Sequence, residues 1–429
     1  MMKGTRLFAD RVTSHRLTGG GRLAVLANPH APTVTIAGTL RAGPALAADG
    51  RFSVPGLTAA MLERGTSEHE RMELARELED HGLQLVVRAS SATPMVVSFT
   101  AQGLAEELPR LLGLLVEVLR RPTFPSGELE KLREQVLGSL VRERQETHAL
   151  AYAALTRALY PDGHPFRRRP VEEREREVAS LSRENLAAFH DAAYHPASLV
   201  FAVVGDVEPE QVASLVSEQL EGWEGEGAAE AVIPATAETR PAEERIQIAD
   251  RPNLDVFLGH SAQLLRGAPD YAAAVLANSC LGQSTLTSRL GMAVRDREGL
   301  TYGIYSRFFG TLGVAGPWAT SLGVSAENLD RAVELSRSVI SSYVSEGPTE
   351  EELADERSAL AGAYRVGLAT NAGVARELVT ALTADEAVNR LDRFPEEVLA
   401  VDREQVMAAI RTHLHPEQLV MTAAGDFEG

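Results

Sequence analysis

Cysteine is nearly missing from this chain of 429 residues, which has only Cys280. No intramolecular disulfide is therefore available, and Cys280 falls in the apolar run from Ala272 to Leu281, where a small buried thiol is expected. Aromatic residues are scarce at 5%, so the core is expected to rest on Leu, Val and Ala. Long apolar runs are absent too: no segment approaches the roughly 18 uninterrupted apolar residues of a membrane span. The start, Met1 to Gly21, is polar and basic and lacks the apolar stretch of roughly 7 to 15 residues that marks a secretory signal. A cytoplasmic location is the expectation that follows. Positive charge is in short supply, with 42 Lys and Arg against 60 Asp and Glu and a net charge of −18. That balance argues against a general binder of nucleic acid or anionic membrane, whose phosphates the long-range field repels.

What is present is an ordinary globular composition, 44% hydrophobic and 24% charged. At roughly 150 residues per domain it predicts three domains or two large ones. An internal repeat decides between them. Ser182 to Glu208 and Asp402 to Glu428 share ten identities in 27 positions at a constant offset of 220. Each copy opens with an N-cap residue, Ser182 or Asp402, and Gln405 completes a capping-box pattern in the second. Each helix stops at His-Pro (His195-Pro196, His415-Pro416), followed by a short apolar strand and a Gly-Asp turn at Gly205-Asp206 and Gly425-Asp426. Two similar α+β domains in tandem are predicted: 1–221, a connector over 222–244 rich in Gly, Ala, Pro and Glu, and 245–429.

Within the first half, Arg22 to Gly43 and Leu83 to Ala101 read as strand pairs. Helical spacing marks Leu57 to Leu62, Arg71 to His81, Leu104 to Arg120, Glu128 to Glu146 and Gln211 to Gln219. The second half repeats this order, with a strand over Ile246 to Gly259, helices over Tyr271 to Leu281 and Leu286 to Arg297, and strands between Leu300 and Val324. Helices packed on an antiparallel or mixed sheet are the expected architecture.

Several stretches, Met61-Leu62-x-x-Gly65-Thr66, Phe189-His190 with His195-Pro196, Gly205-Asp206 and above all SRLGMAVRDREGLTYG from Ser288 to Gly303, carry a family resemblance. The sequence resembles the pitrilysin and insulinase family of zinc metallopeptidases, in particular the short-chain branch that includes the mitochondrial processing peptidase subunits. Catalytic members of that family carry His-x-x-Glu-His on a helix, with a third ligand, a Glu, on a later helix. Two His at i and i+4 reach one Zn²⁺ from the same helical face, and the Glu between them takes a proton from the metal-bound water. Counting back from Gly65-Thr66, the resemblance places those three residues at Gly56, Ala59 and Ala60, and the third ligand at Ser139, with Glu143 one helical turn on. None of the first three has a side chain that ligates metal, so no metal is expected in this chain.

Other chemistry is not supported by spacing. His69, Glu73 and His81 do not place two His on one helical face, and His413-x-His415 belongs to the repeated His-Pro segment. No Gly-x-Ser-x-Gly elbow occurs. In Leu281-Gly282-Gln283-Ser284 the residues read as a helix C-cap at Gly282 followed by a Ser N-cap. The resemblance does retain Arg295 and Tyr302, with Gly299-Leu300 between them, at positions where the family contacts bound peptide and its reacting carbonyl. A guanidinium is permanently charged, and a phenol donates to a developing oxyanion in a water-poor cleft. By residue type alone the same pair is a solvated helix charge and a strand residue. The resemblance therefore implies a non-catalytic, substrate-binding subunit that pairs with a homologous zinc-bearing chain and encloses a peptide in a chamber. An architectural or binding protein of the same fold, and an independent hydrolase with a relocated metal site, are the alternatives.

Overall fold

A computed structural model describes residues 7–17, 19–47, 50–225, 230–237 and 239–428. Residues 1–6 of the basic start, and 226–229 and 238 of the connector, lie outside the described residues. The strands of the first sheet are β1 (Val12–Arg16), β2 (Arg22–Ala27), β3 (Thr33–Leu40), β4 (Gln84–Ala89), β5 (Val97–Leu104) and β6 (Val200–Gly205), in the order β1-β2-β6-β3-β5-β4. The second sheet is built from β7 (Glu243–Gln247), β8 (Asn253–Ser261), β9 (Ile304–Phe308), β10 (Pro317–Ser325) and β11 (Val420–Gly425), in the order β7-β11-β8-β10-β9. In each sheet one pair is parallel, β2 with β6 and β7 with β11, and the rest are antiparallel. Both sheets are thus mixed, and the second repeats the order and sense of the first without β1.

The repeated segment takes the same form in both copies. Helices α1 (Val54–Met61), α2 (Arg71–Asp80), α3 (Leu108–Arg120), α4 (Ser126–Glu143), α5 (Thr147–Leu159) and α6 (Val171–Ser180) precede the first copy, whose helix is α7 (Arg183–Ala193). Then come α8 (Pro209–Gln219), α9 (Tyr271–Asn278), α10 (Leu329–Glu346), α11 (Glu350–Gly367), α12 (Asn371–Thr383) and α13 (Arg390–Ala400) before the second copy's α14 (Arg403–His413). Both α7 and α14 open with a reciprocal capping box: Ser182 with Asn185, and Asp402 with Gln405. The amide of Asn185 serves as well as that of Gln405 because either oxygen reaches back to the N-cap N–H. After each His-Pro comes a single 3₁₀ turn, then a central strand, β6 or β11, that is buried at every residue.

Three elements differ from the sequence expectation. Ile246 to Gly259 is two strands rather than one, because Asp250 adopts a left-handed φ of 60° and Pro252 follows. Leu286 to Arg297 is not a continuous α-helix: Ser284 Oγ accepts from the N–H groups of Leu286 and Thr287, holding a turn, and a π-helical segment runs over Gly291–Arg297. Gly282 lies inside a second π-helical segment, Ser279–Gln283, where a Cβ would come within 2.3 Å of Ser306 Oγ. Glycine is needed there for close approach to β9.

Two compact units form, and they interleave the halves 1–221 and 245–429. One unit comprises residues up to Leu137, Arg176–Val232 and Tyr364–Arg393; the other comprises Gly138–Glu175, Ile233–Ala363 and the residues from Phe394 onward. In the first unit, α12 covers the sheet: Val374, Ala375, Leu378 and Val379 pack in one buried cluster with Ala24, Leu26, Ala37, Ala202 and Val204. Thr383 and Asn371 fasten the ends of α12 through Thr39 (3.0 Å) and Asn28 (2.7 Å). In the second unit, α5 takes the corresponding place. Thr422 Oγ1 donates to Ala151 O at 2.8 Å, and Tyr152 lies 5.4 Å from the Phe257 ring. The described ends of the connector are tied down too, Trp223 Nε1 donating to Tyr194 O and Thr239 pairing with Ser261.

Two buried histidines of the second unit set an acid limit. Burial pushes His164 and His260 down to about 4. His260 Nδ1 donates to Ser261 O at 2.8 Å, and its Nε2 accepts from the N–H of His415 at 3.2 Å, so the ring is satisfied only when neutral. The unfolded chain, with histidines near 6.5, binds more protons between these values. The stabilisation is full above pH 6.5 and is lost as pH falls toward 4, by about 2–3 kcal/mol per histidine. Denaturant midpoints measured across that window should fall with pH, and His260→Gln should flatten the slope; a flat wild-type profile would refute this.

Candidate functional site

The helix that the resemblance singles out is α1. Its N-terminus is clamped by Glu177, whose two carboxylate oxygens accept from Ser53 N–H and Ser53 Oγ at 2.8 Å each. Gly56, Ala59 and Ala60 lie on α1 in the i, i+3, i+4 relation of one helical face, with Ala59 buried, Gly56 half-buried and Ala60 exposed. The three positions that the resemblance assigns to a metal motif thus share one helical face, and none carries a donor side chain. A hydrogen and two methyl groups cannot bind zinc, so the residues present do not fit that ion.

Beyond α1, Gly65 has φ +141°, and a Cβ there would lie 2.9 Å from Pro125. Thr66 Oγ1 donates to Glu117 Oε1, which also meets His69 Nδ1 at 2.9 Å. Gly65-Thr66 is thus a turn locked to α3. Ser139 is exposed on α4. Glu143, one turn on, is committed elsewhere: both its oxygens accept from Arg174, at 2.6 and 2.7 Å, and Arg168 adds a third bond at 3.2 Å. Burial raises the Glu143 carboxyl, but the two guanidinium groups outweigh it and hold it below the usual range. The other acids and histidines are dispersed: Glu73 accepts from Glu70 N–H, and His81 pairs with Glu107. Among the described residues no group of three or more His, Cys, Asp or Glu is placed to hold a metal. Cys280 is buried, its thiol pushed up to about 12 by that burial, which leaves it inert as a nucleophile.

The residues kept by the resemblance are brought together. Arg295 sits in the π-helical segment Gly291–Arg297, and its Nε donates to the main-chain oxygen of Tyr302 at 3.0 Å. Gly299 makes the turn between them with φ +65°. The Tyr302 side chain, just before β9, is 99% exposed, so its phenol is not a packing group. The strand-residue alternative, with Tyr302 facing inward, fails on that observation. Nearby Arg289 is structural: it pairs with both oxygens of Glu352 at 2.8 Å and lies over the Tyr343 ring. The pairing of Arg289 was not legible in the sequence, because its partner Glu352 lies on α11, far along the chain.

Two α+β units whose mixed sheets share one strand order define a two-domain fold of the metallopeptidase type that the resemblance implies. Sequence profiles agree: residues 23–167 match "Insulinase (Peptidase family M16)" and residues 180–360 match "Peptidase M16 inactive domain". The chain belongs to the insulinase family, among its inactive members. A Helicobacter pylori relative named "Non-peptidase homolog YmxG" is 23% identical over 323 residues, covering 75% of this chain and 72% of that one. The mitochondrial-processing peptidase subunit beta of Lentinula edodes is 21% identical, covering 96% of this chain and 90% of its own length. A crystal structure described as a peptidase M16 inactive domain from Pseudomonas fluorescens superposes with a TM-score of 0.89 at 26% identity, covering 97% and 98% of the two chains. Among the described residues no helix is long and apolar enough to cross a membrane.

Proposed function

We propose that this chain is the non-catalytic, substrate-binding subunit of a cytoplasmic two-chain zinc metallopeptidase. The observation that carries the reading is the asymmetry between the two units. Gly56, Ala59 and Ala60 leave α1 without donors, while Arg295 and the exposed Tyr302 stand together ahead of β9. A homologous partner bearing His-x-x-Glu-His brings the zinc and the base. This chain brings a permanent positive charge, a phenolic donor and part of the chamber wall, holding an extended peptide so that attack on it is effectively intramolecular. The relative named as a processing-peptidase subunit supports a paired assembly.

Purified alone, the chain should retain no stoichiometric zinc and cleave no peptide; co-expressed with the zinc-bearing homologue it should co-purify and the pair should cleave. Zinc and cleavage in the isolated chain would instead establish an independent hydrolase. The relative named as a non-peptidase homologue favours a second reading, an architectural or binding protein of the same fold. Failure to associate with any zinc-bearing homologue would favour it.

A further inference from the structure

The first sheet ends on β4, whose partner among the described residues is β5. A terminal strand carries an outward row of N–H and C=O groups on which an extended chain can pair. Main-chain groups alternate in direction along a strand. The N–H of Val87 donates away from β5, to Glu63 Oε1 at 2.8 Å, so Leu85, Val87 and Ala89 turn outward while Gln84, Val86 and Arg88 face β5. Val87 is the middle residue of that outward row. Glu63 lies in the 3₁₀ turn Leu62–Arg64 that continues α1. Burial raises its carboxyl above the ordinary range, against the opposing bond from Val87.

The counterpart edge in the second sheet is closed in the same manner. The N–H of Ile304 on β9 donates to Thr285 Oγ1 at 3.0 Å, and Ser306 O accepts from Asn278 Nδ2 at 2.9 Å. In both sheets, side chains from the helix and turn that precede the edge strand bond to its main chain. A peptide pairing through Val87 would have to put a carbonyl oxygen where Glu63 Oε1 sits, and its other carbonyls would face a carboxylate.

We infer that Glu63 is a stopper that withholds the outer edge of β4 from an extended peptide, and that removing it opens the edge to one. The closure stands on geometry alone; the occupant rests on the peptide-binding reading above. A neutral or basic peptide is the fitting occupant rather than a second copy, because two chains of net charge −18 repel.

The test uses the full chain, as wild type and as Glu63→Ala, Glu63→Ser and Glu63→Gln, with a short labelled basic peptide free of proline. Fluorescence anisotropy reads affinity, and hydrogen exchange reads the amides of residues 84–89. Glu63→Ala and Glu63→Ser, both too short to reach Val87, should bind about tenfold tighter, with new protection at Leu85, Val87 and Ala89. Glu63→Gln, which keeps the acceptor, should behave as wild type and show neither. Peptide protection of these amides in wild type overturns the stopper, as does its absence in every folded short variant. Protection through self-association without peptide uptake overturns the peptide as occupant. Failure to pair with a zinc-bearing homologue bears on the proposed function and leaves this measurement untouched.

Discussion

Replacing Arg295 with alanine in an assembled pair should lower peptide cleavage by about 10²-fold, mostly in kcat. The effect has two sources under the proposed function. Arg295 supplies a fixed positive charge, and through Nε it holds the main chain of Tyr302, on which the direction of the phenol depends. Arg295→Lys keeps the charge and loses the planar fork, so it should recover only part of the rate. Tyr302→Phe should lose a comparable factor if the phenol donates to developing charge. Its side chain is 99% exposed, so Tm should not move, and a rate loss at constant Tm isolates function from folding. Wild-type rates in both variants, with the complex intact, would leave the pair without a role in the reaction.

The second large effect concerns stability. Leu378 is fully buried on α12, in a cluster with Val374, Ala375 and Val379 of the same helix and with residues of β2, β3 and β6. Leu378→Ala should destabilise the first unit by about 2–5 kcal/mol, the cost of a cavity in a core that cannot collapse. A harsher cut follows from the same packing. Residues 1–244 made alone lack α12, so the face formed by Ala24, Leu26, Ala37, Ala202 and Val204 stays exposed, and no cooperative urea transition is expected. Cooperative unfolding of that fragment, or a Leu378→Ala shift below about 1 kcal/mol, would show that α12 is dispensable.

Local chemistry was well represented in the sequence. The N-caps at Ser182 and Asp402, the Gln405 capping box, the two His-Pro stops and the strands behind them depend on residues within a few positions of one another, and they fold as expected. Alternation marked the strand pairs of the first half for the same reason. The break at Asp250 and the π-helical turns around Ser284 were not legible, because a left-handed residue or a widened helix is imposed by what packs against it. The absence of donors at Gly56, Ala59 and Ala60 needed only residue types. That Glu143 is held by Arg168 and Arg174, or that Tyr302 points into solvent, depended on partners the spacing does not name.

The 220-residue offset and the metal-poor helix were determined by the sequence by itself, since a repeat and a missing side chain are statements about residue identity. Which sheet each helix covers was decided only in the tertiary structure. The apolar stripes of α5 and α12 carry the same kind of surface, and hydrophobic burial is non-directional, so neither stripe encodes its destination. Chain order makes two domains of one half each; packing gives each unit's sheet a helix from the other half. The same holds for the edge of β4, where a lone glutamate in the sequence becomes a stopper because the fold sets it 2.8 Å from Val87.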